Sequence, residues 1–174
     1  MRTSQALSYA VFLLLLLLTS SSSSYASVLE DTCRYHHRDY NYRMKFFQAD
    51  KDSATANKHG LAVIAIKIAR AVSVSTLKHI TALKDADKDK KMQGPLADCY
   101  AVYAGSVSSF DKATRDIASG KLQDAMTSFG YTQPIADSCE EEFREAGVKS
   151  PLAVEDSEFP GVIAIPYMAT SQLE

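Results

Sequence analysis

The sequence predicts an all-α protein, and three long stretches carry this prediction. Each places apolar residues at the three- and four-residue steps that line up on one face of a helix, and little other periodicity is present. The chain has 174 residues, of which 46% are hydrophobic and 23% are charged. This length suits one domain, and the apolar fraction is high enough for a packed core.

The clearest pattern follows Pro95. Apolar positions recur in alternating steps of four and three, at Leu96, Tyr100, Tyr103, Val107, Phe110, Thr114 and Ile117. Such spacing is typical of the seam along which a helix packs on bundle neighbours that cross it at about 20°. Pro95 suits the first helical turn, since its missing N–H would have no helical partner there. Ser119 and Gly120 are expected to end this helix.

A second stripe follows and is interrupted at Pro134. Its members are Leu122, Met126, Phe129, Ala136, Cys139, Phe143 and Ala146. A proline inside a helix removes one backbone hydrogen bond and crowds the preceding turn, so we predict one long helix with a bend near Gln133. Gly147 is expected to end it, and residues 149–151 to form an extended connection.

Upstream, residues 61–83 are apolar over a wide arc. The stretch is longer than an ordinary strand and has no turn signal, which favours a helix packed on two sides. The charged run 85–91 is interpreted as a polar link between antiparallel helices, and 49–60 as a polar loop. Two brief helices are predicted before it, around 28–35 and 39–47.

The last segment, residues 155–174, is predicted to form a short or kinked closing helix. Pro160 is compatible with a first helical turn. Pro166 falls in the middle of the apolar run, where a proline costs about 3 kcal/mol relative to alanine.

The first 26 residues have the features of a secretory signal. Arg2 supplies a positive charge, Val11–Leu18 is continuously apolar, and Ser24 and Ala26 occupy the −3 and −1 positions of a cleavage site. The apolar run is shorter than the roughly 20 residues that span a bilayer. We therefore expect cleavage after Ala26 and a mature domain of residues 27–174 in a disulfide-permissive compartment, with no other membrane-spanning segment.

Charge and cysteine content narrow the function further. Nineteen Lys and Arg face twenty-one Asp and Glu, for a formal net charge of −2. This balance argues against a dedicated nucleic-acid-binding protein, which needs excess basic residues. The three cysteines, Cys33, Cys99 and Cys139, are an odd number, so one of them lacks a partner within the chain. Spacing alone leaves all three pairings open.

Several short motifs occur in a distinctive order. They are Thr32-Cys33, Asn41-Tyr42, Asp98-Cys99-x-x-x-Tyr103, Cys139-Glu140-x-x-Phe143 and Ser150-Pro151-Leu152. With these motifs the chain resembles the plant invertase and pectin methylesterase inhibitors, including their pollen-allergen relatives, over almost all of the mature length. The resemblance implies an up-down-up-down four-helix bundle preceded by a short N-terminal helical hairpin. It also implies one disulfide within the hairpin and another that joins two bundle helices.

The resemblance assigns the bundle disulfide to Cys99 and Cys139. Cys99 lies beside Tyr100 on the first stripe, and Cys139 is a member of the second. The hairpin disulfide is not expected, because we interpret Lys45 as occupying the position of the family's second hairpin cysteine. Cys33 is then an unpaired thiol. Packing alone would hold the hairpin, through the side chains of Tyr40, Met44 and Phe47.

No motif predicts catalysis. Cys33 with His36 and His37 suggests a metal site or a thiol nucleophile, but adjacent histidines diverge on a helix and no further ligand has a characteristic spacing. The three glutamates 140–142 also spread around a helix and do not converge as paired carboxylates do. We expect no catalytic residue, no metal and no cofactor, and hence no enzyme.

The resemblance implies a secreted inhibitor in the plant apoplast, or cell wall. We expect a monomer that blocks the substrate cleft of one pectin methylesterase or acid invertase molecule, although an unpaired Cys33 would also permit a linked dimer. The family's invertase inhibitors carry a Pro-Lys-Phe element; its absence favours pectin methylesterase. Contact residues are not assigned by the sequence.

The alternative is a diverged bundle that inhibits nothing and has a structural or ligand-carrying role. In that case four aromatic side chains on the stripes would line a small-ligand cavity between the helices. In the other case these side chains pack in the hydrophobic core. They are Tyr100, Tyr103, Phe110 and Phe129.

Overall fold

The structure is a computed structural model that describes residues 28–35, 39–87 and 89–173. Within these ranges all regular secondary structure is helical, as predicted. They form two compact units, one up to Leu61 and one from Ala62 onward. The predicted secretory signal, together with His36 and His37, lies outside the described residues.

The first unit contains the predicted hairpin of two short helices, α1 (28–34) and α2 (Tyr40–Phe47). The polar stretch after α2 is not entirely a loop, because a short 3₁₀ helix occupies Lys51–Thr55. The Asp50 side chain starts this helix by accepting a hydrogen bond from the backbone N–H of Asp52 (3.0 Å). Such side-chain acceptors satisfy the donors that a helix start leaves unpaired.

Two long helices follow, α3 (Lys58–Ala86) and α4 (Lys90–Ala118), each of 29 residues. α3 starts in the first unit and continues through the second. The link between them is residues 87–89, which is shorter than the charged run predicted as a linker. A connection this short makes α3 and α4 antiparallel neighbours.

The prediction that Pro95 lies in the first turn of its helix is wrong. Asp89 caps α4 by accepting a hydrogen bond from the N–H of Lys91 (2.9 Å), so the helix begins before the proline. Pro95 is therefore inside α4 and is buried there. Its missing N–H leaves the carbonyl of Lys91 without a helical donor, which is a local cost that burial in the core offsets.

The buried seam of α4 agrees with the predicted one at every second position. The shared positions are Leu96, Tyr103, Phe110 and Ile117. The residues between them are smaller than predicted, and they are Cys99, Ser106 and Ala113. Tyr100, expected on this seam, is 41% exposed. Small residues at these positions let neighbouring helices approach α4 closely.

Contrary to expectation, α3 is long and apolar enough to cross a membrane by length and composition alone. Its deeply buried positions, however, include many small or polar residues, among them Ala62, Ala65, Ala69, Ser73 and Thr76. Two polar contacts tie α3 to α4. Ser106 donates a hydrogen bond to Ser73 (2.9 Å, buried), and Arg70 pairs with Asp111 (2.7 Å). These contacts are typical of a helix that packs within a helical bundle.

The second stripe forms two helices, α5 (Leu122–Gly130) and α6 (Ile135–Ala146), and not one bent helix. The break lies where the bend was predicted. The chain makes a turn at Thr132, whose N–H and hydroxyl both donate hydrogen bonds to the carbonyl of Phe129, at 3.0 and 2.7 Å. Pro134 then precedes α6 without an N–H to offer. Both helices pack on α4.

Gly147 ends α6 as predicted. It adopts a left-handed conformation (φ 68°), which glycine reaches at little cost. The N–H of Gly147 bonds to the carbonyl of Arg144 (3.2 Å), and that of Val148 to the carbonyl of Phe143 (3.1 Å). These two bonds form a Schellman motif, which satisfies the last carbonyls of the helix.

The closing helix α7 (Ala153–Ser171) is not short. It has 19 residues and contains both Pro160 and Pro166. Each proline removes one backbone hydrogen bond, but α7 packs on α5 and α6 and buries a broad set of side chains. The largest apolar ones are Phe159, Val162, Ile163, Ile165 and Met168. This burial offsets the prolines and completes an antiparallel bundle of α3, α4, the α5–α6 pair and α7.

Candidate functional site

A disulfide joins α4 and α6 through Cys99 and Cys139, which are 40 positions apart in the chain. Both residues are fully buried on the facing seams of their helices. The disulfide therefore fixes the register of two bundle helices, and it is a structural feature and not an exposed reactive group.

Cys33 is free and fully buried in the first unit. Burial raises the pKa of its thiol to about 11, against a smaller lowering by the charge of Arg43. A thiol with this pKa is almost entirely protonated at neutral pH and is a poor nucleophile or metal ligand. In the described ranges, moreover, no group of three or more His, Cys, Asp or Glu residues is arranged to hold a metal.

Arg43 faces Cys33 across the hairpin. Its side chain is buried, and its Nε donates a hydrogen bond to the carbonyl oxygen of Cys33 (2.8 Å). Lys45, which we expected in the place of a second hairpin cysteine, is exposed. The expectation that packing alone holds the hairpin is therefore wrong, because a charge-assisted hydrogen bond also closes it.

We predict that the Cys33 thiol is protected in the native protein. Iodoacetamide should alkylate it about 100-fold more slowly than the exposed thiol introduced by Ser157→Cys, because reaction requires the hairpin to open. Mass spectrometry of peptides after timed alkylation measures both rates. In urea the two thiols should react alike. Equal rates in the native protein would contradict the buried position, and would make a Cys33-linked dimer accessible.

A buried polar contact connects α4 to α7. The hydroxyl of Tyr103 donates a hydrogen bond to Oδ1 of Asp156 at 2.6 Å, and both side chains are almost completely buried. The Tyr103 ring also packs edge-on against Phe159, with centroids 4.9 Å apart. The sequence identified Tyr103 only as a core aromatic, so its hydrogen bond to a buried acid was missed.

The ionisation of this pair is strongly perturbed. Burial raises the pKa of Asp156 to about 7; the hydrogen bond from Tyr103 lowers it, and Glu140 and Glu155 raise it. Burial and the bond to Asp156 also raise the pKa of Tyr103, so its hydroxyl stays a neutral donor. A perturbed acid at the centre of a site often indicates catalysis, but structural networks perturb pKa values too.

The glutamates after Cys139 have different environments. Glu141 pairs with Arg144 on the exposed surface of α6, with Nε 2.7 Å from Oε2. Glu140 has one oxygen that is buried and receives no hydrogen bond from a described residue. The interpretation of all three glutamates as diverging surface residues is thus incomplete, because Glu140 also reaches the interior.

Two surface grooves differ in charge. One, of about 460 Å³, lies along α6 and is lined by Asp137, Glu140, Glu141, Phe143, Arg144, Val148 and Ser150. The other, of about 370 Å³, lies on α3 and is lined by Lys67, Arg70, Ala71, Val74, Ser75 and Lys78. In the groove on α6, Arg144 pairs with Glu141, and the Ser150 hydroxyl accepts a hydrogen bond from the N–H of Leu152 (3.0 Å).

Three of the four aromatic side chains considered as a cavity lining lie in the core. Tyr103, Phe110 and Phe129 are fully buried, and the rings of Phe110 and Phe129 pack with centroids 6.3 Å apart. Tyr100 lies outside this cluster, with the ammonium of Lys84 5.6 Å from its ring centroid. The four residues that we considered as a cavity lining are therefore three core residues and one surface residue.

Comparison with known families decides the assignment. Residues 27–163 match the model of the plant invertase/pectin methylesterase inhibitor family. The chain belongs to this family. Its members are inhibitors and not enzymes.

The curated relatives and solved structures agree with this assignment. A “Putative invertase inhibitor” of Platanus acerifolia is 28% identical over 85% of this chain and 86% of its own, and one of the same name from Platanus orientalis is 26% identical over 85% and 91%. A crystal structure of a pectin methylesterase inhibitor from Arabidopsis thaliana matches with a TM-score of 0.62 at 18% identity, covering 86% of this chain and 97% of that one. At this identity the structural match establishes the inhibitor-family fold.

Proposed function

We propose that this protein is a secreted inhibitor of a carbohydrate-acting enzyme of the plant cell wall. The secretory signal is removed after Ala26, and residues 27–174 bind one enzyme molecule and exclude substrate from its cleft. The observation that carries the proposal is the family match over residues 27–163. A disulfide-bonded chain is consistent with the extracellular space.

The fold suits inhibition by shape. A bundle held by a disulfide and a buried aromatic core changes little on binding, so ordering a binding surface costs little free energy. Stable complexes of this kind bury about 1,600 Å² in total, which long helical faces can supply. The charged grooves on α6 and α3 would orient the inhibitor on the enzyme and raise the association rate, with a smaller effect on affinity.

Pectin methylesterase is the first target that we propose. The Pro-Lys-Phe element that characterises the family's invertase inhibitors is absent from this sequence. Acid invertase is the second target, and the names of the two Platanus relatives favour it.

An inhibition assay tests the proposal directly. Purified residues 27–174, shown to be helical by circular dichroism, are titrated into a pectin methylesterase and an acid invertase from about pH 4.5 to about pH 7.5. We expect activity of one enzyme to fall to a plateau at a 1:1 ratio. Pre-incubation with excess substrate should slow the onset, because inhibitor and substrate compete for one cleft.

Charge-reversal variants serve as matched controls in this assay. Lys78→Glu changes the groove on α3, and Glu141→Lys changes the groove on α6. A groove that contacts the enzyme should lose affinity when reversed, while the other variant inhibits normally. If the folded protein inhibits neither enzyme, the proposal fails and the non-inhibitory bundle is favoured.

A further inference from the structure

Ionisable side chains from α3, α4, α6 and α7 form one cluster in the bundle. Tyr103 of α4 bonds to Asp156 of α7, and Glu140 of α6 acts on the same carboxyl. Beside them, His79 of α3 lies 2.5 Å from Glu155, the residue that precedes Asp156 in α7. Tyr103 and Asp156, at the centre of this cluster, are 0% and 3% exposed.

Two carboxyl oxygens in the cluster lack a donor. Oδ1 of Asp156 accepts from Tyr103, but its Oδ2 is buried and receives no hydrogen bond from a described group. The same holds for Oε1 of Glu140. If both groups were charged, the two carboxylates would repel each other, and each buried oxygen without a donor would bear an uncompensated desolvation cost. A single proton between them removes both costs, since one group then donates to the other.

We propose that Asp156 keeps its proton in the folded protein and donates it in a hydrogen bond to Glu140, and that this hydrogen bond links α7 to α6 as an acid-dependent clasp. Loss of this proton at neutral pH leaves a buried negative charge on Asp156 beside Glu140 and weakens the bundle. Glu140 also lines the groove on α6, so one member of the pair is reached from the surface. The proposal does not depend on inhibition, because it concerns the stability of the inhibitor alone.

The ionisation of Asp156 supports this arrangement. Its pKa is raised from 3.8 to about 7, and burial is the largest cause. The hydrogen bond from Tyr103 opposes this shift. The hydrogen bond and charge of Glu140 and the charge of Glu155 add to it. The charged and titratable groups facing Asp156 are thus Tyr103 from α4 and Glu155 from α7, with His79 from α3 on Glu155. Asp137, Glu141 and Arg144 of α6 line the groove with Glu140, and Arg144 pairs with Glu141. None of them places a positive charge directly on Asp156.

The sign of the effect follows from proton linkage. The folded state holds a proton on Asp156 that the unfolded chain releases near pH 4, so its stabilisation is complete below that pH. It is lost as pH rises through about 7. Over this interval each pH unit should lower the folding equilibrium constant by up to about tenfold. The pKa of Asp111 is lowered by Arg70, so this carboxylate makes stability fall as pH decreases, and it does so at pH values below this interval.

Urea unfolding of residues 27–174 between about pH 4 and about pH 8 tests the clasp. The wild type should lose stability as pH rises, and Asp156→Asn should remove most of that slope and be the more stable protein at the upper end. Glu158→Gln, an exposed acid of the same helix, should keep the wild-type slope. The His79–Glu155 pair is present in all three proteins, so its contribution cancels in the comparison.

A second variant keeps the test decisive if Asp156→Asn does not fold. Glu140→Gln supplies an amide donor to Asp156 in place of a carboxyl, and should move the titration of Asp156 to lower pH. Carbon-detected NMR of the Asp156 carboxyl reads this titration directly, with a midpoint near 7 expected in the wild type. A wild-type midpoint near 4, or a slope that neither substitution changes, would overturn the proposal.

Discussion

Replacing Cys99 and Cys139 together by alanine is expected to lower the free energy of unfolding by about 4 kcal/mol. The disulfide closes a loop of 40 residues, and the stabilisation comes mainly from the entropy that this loop closure removes from the unfolded chain. For a domain of this size such a loss corresponds to a decrease in Tm of roughly 8–16 °C. Urea and thermal unfolding of residues 27–174 measure both quantities.

The control for this prediction is the Cys33→Ala protein, which keeps the disulfide and has no thiol that can exchange with it. Adding a reductant should destabilise Cys33→Ala to the level of the double variant, and should leave the double variant itself unchanged. If reduction has no effect on Cys33→Ala, the disulfide adds nothing to stability and the bundle is held by packing alone.

Truncating Phe159 to alanine is expected to cost about 3–5 kcal/mol. The side chain is 1% exposed and packs against the Tyr103 ring, so its removal leaves a cavity between α7 and α4. α7 already lacks two backbone hydrogen bonds at Pro160 and Pro166, and it depends on burial more than an ordinary helix does. Urea unfolding followed by circular dichroism measures the loss.

Val154→Ala is the matched control on the same helix. Val154 is 68% exposed, and its truncation should change stability by no more than about 0.5 kcal/mol. Phe159→Leu should fall between the two, because it retains most of the buried apolar volume. A cost below about 1 kcal/mol for Phe159→Ala would mean that α7 is not docked on the bundle in solution.

The sequence predicts most of the helical framework because its signals are periodic. Leu96, Tyr103, Phe110 and Ile117 recur every seven residues and mark the core face of α4 whatever lies between them. The intervening positions were predicted wrongly, since apolar character favours Tyr100 whereas the geometry of closely packed helices favours the small Cys99. Local propensity also underestimated α7, where tertiary burial overrides two prolines.

The polar features of the interior could not be predicted in the same way. Asp156 and Glu140 are 16 positions apart, and an acidic residue in a sequence usually indicates solvent exposure. Only the fold places them against each other. The contact between Arg43 and Cys33 is similar, because an arginine in a short helix gives no sign that it will be buried. The family assignment, by contrast, rested on motif order and was confirmed.

The burial of Cys33 has a consequence for how the chain matures. If the chain is oxidised in the secretory pathway, as proposed above, two wrong bonds, Cys33 to Cys99 and Cys33 to Cys139, would compete with the native one. We expect closure of the hairpin, with its hydrogen bond from Arg43 to the Cys33 carbonyl, to shield the odd sulfur from oxidant and isomerase. Secretion yield should therefore depend on how early this small N-terminal element forms, a requirement that a chain with fully paired cysteines does not have.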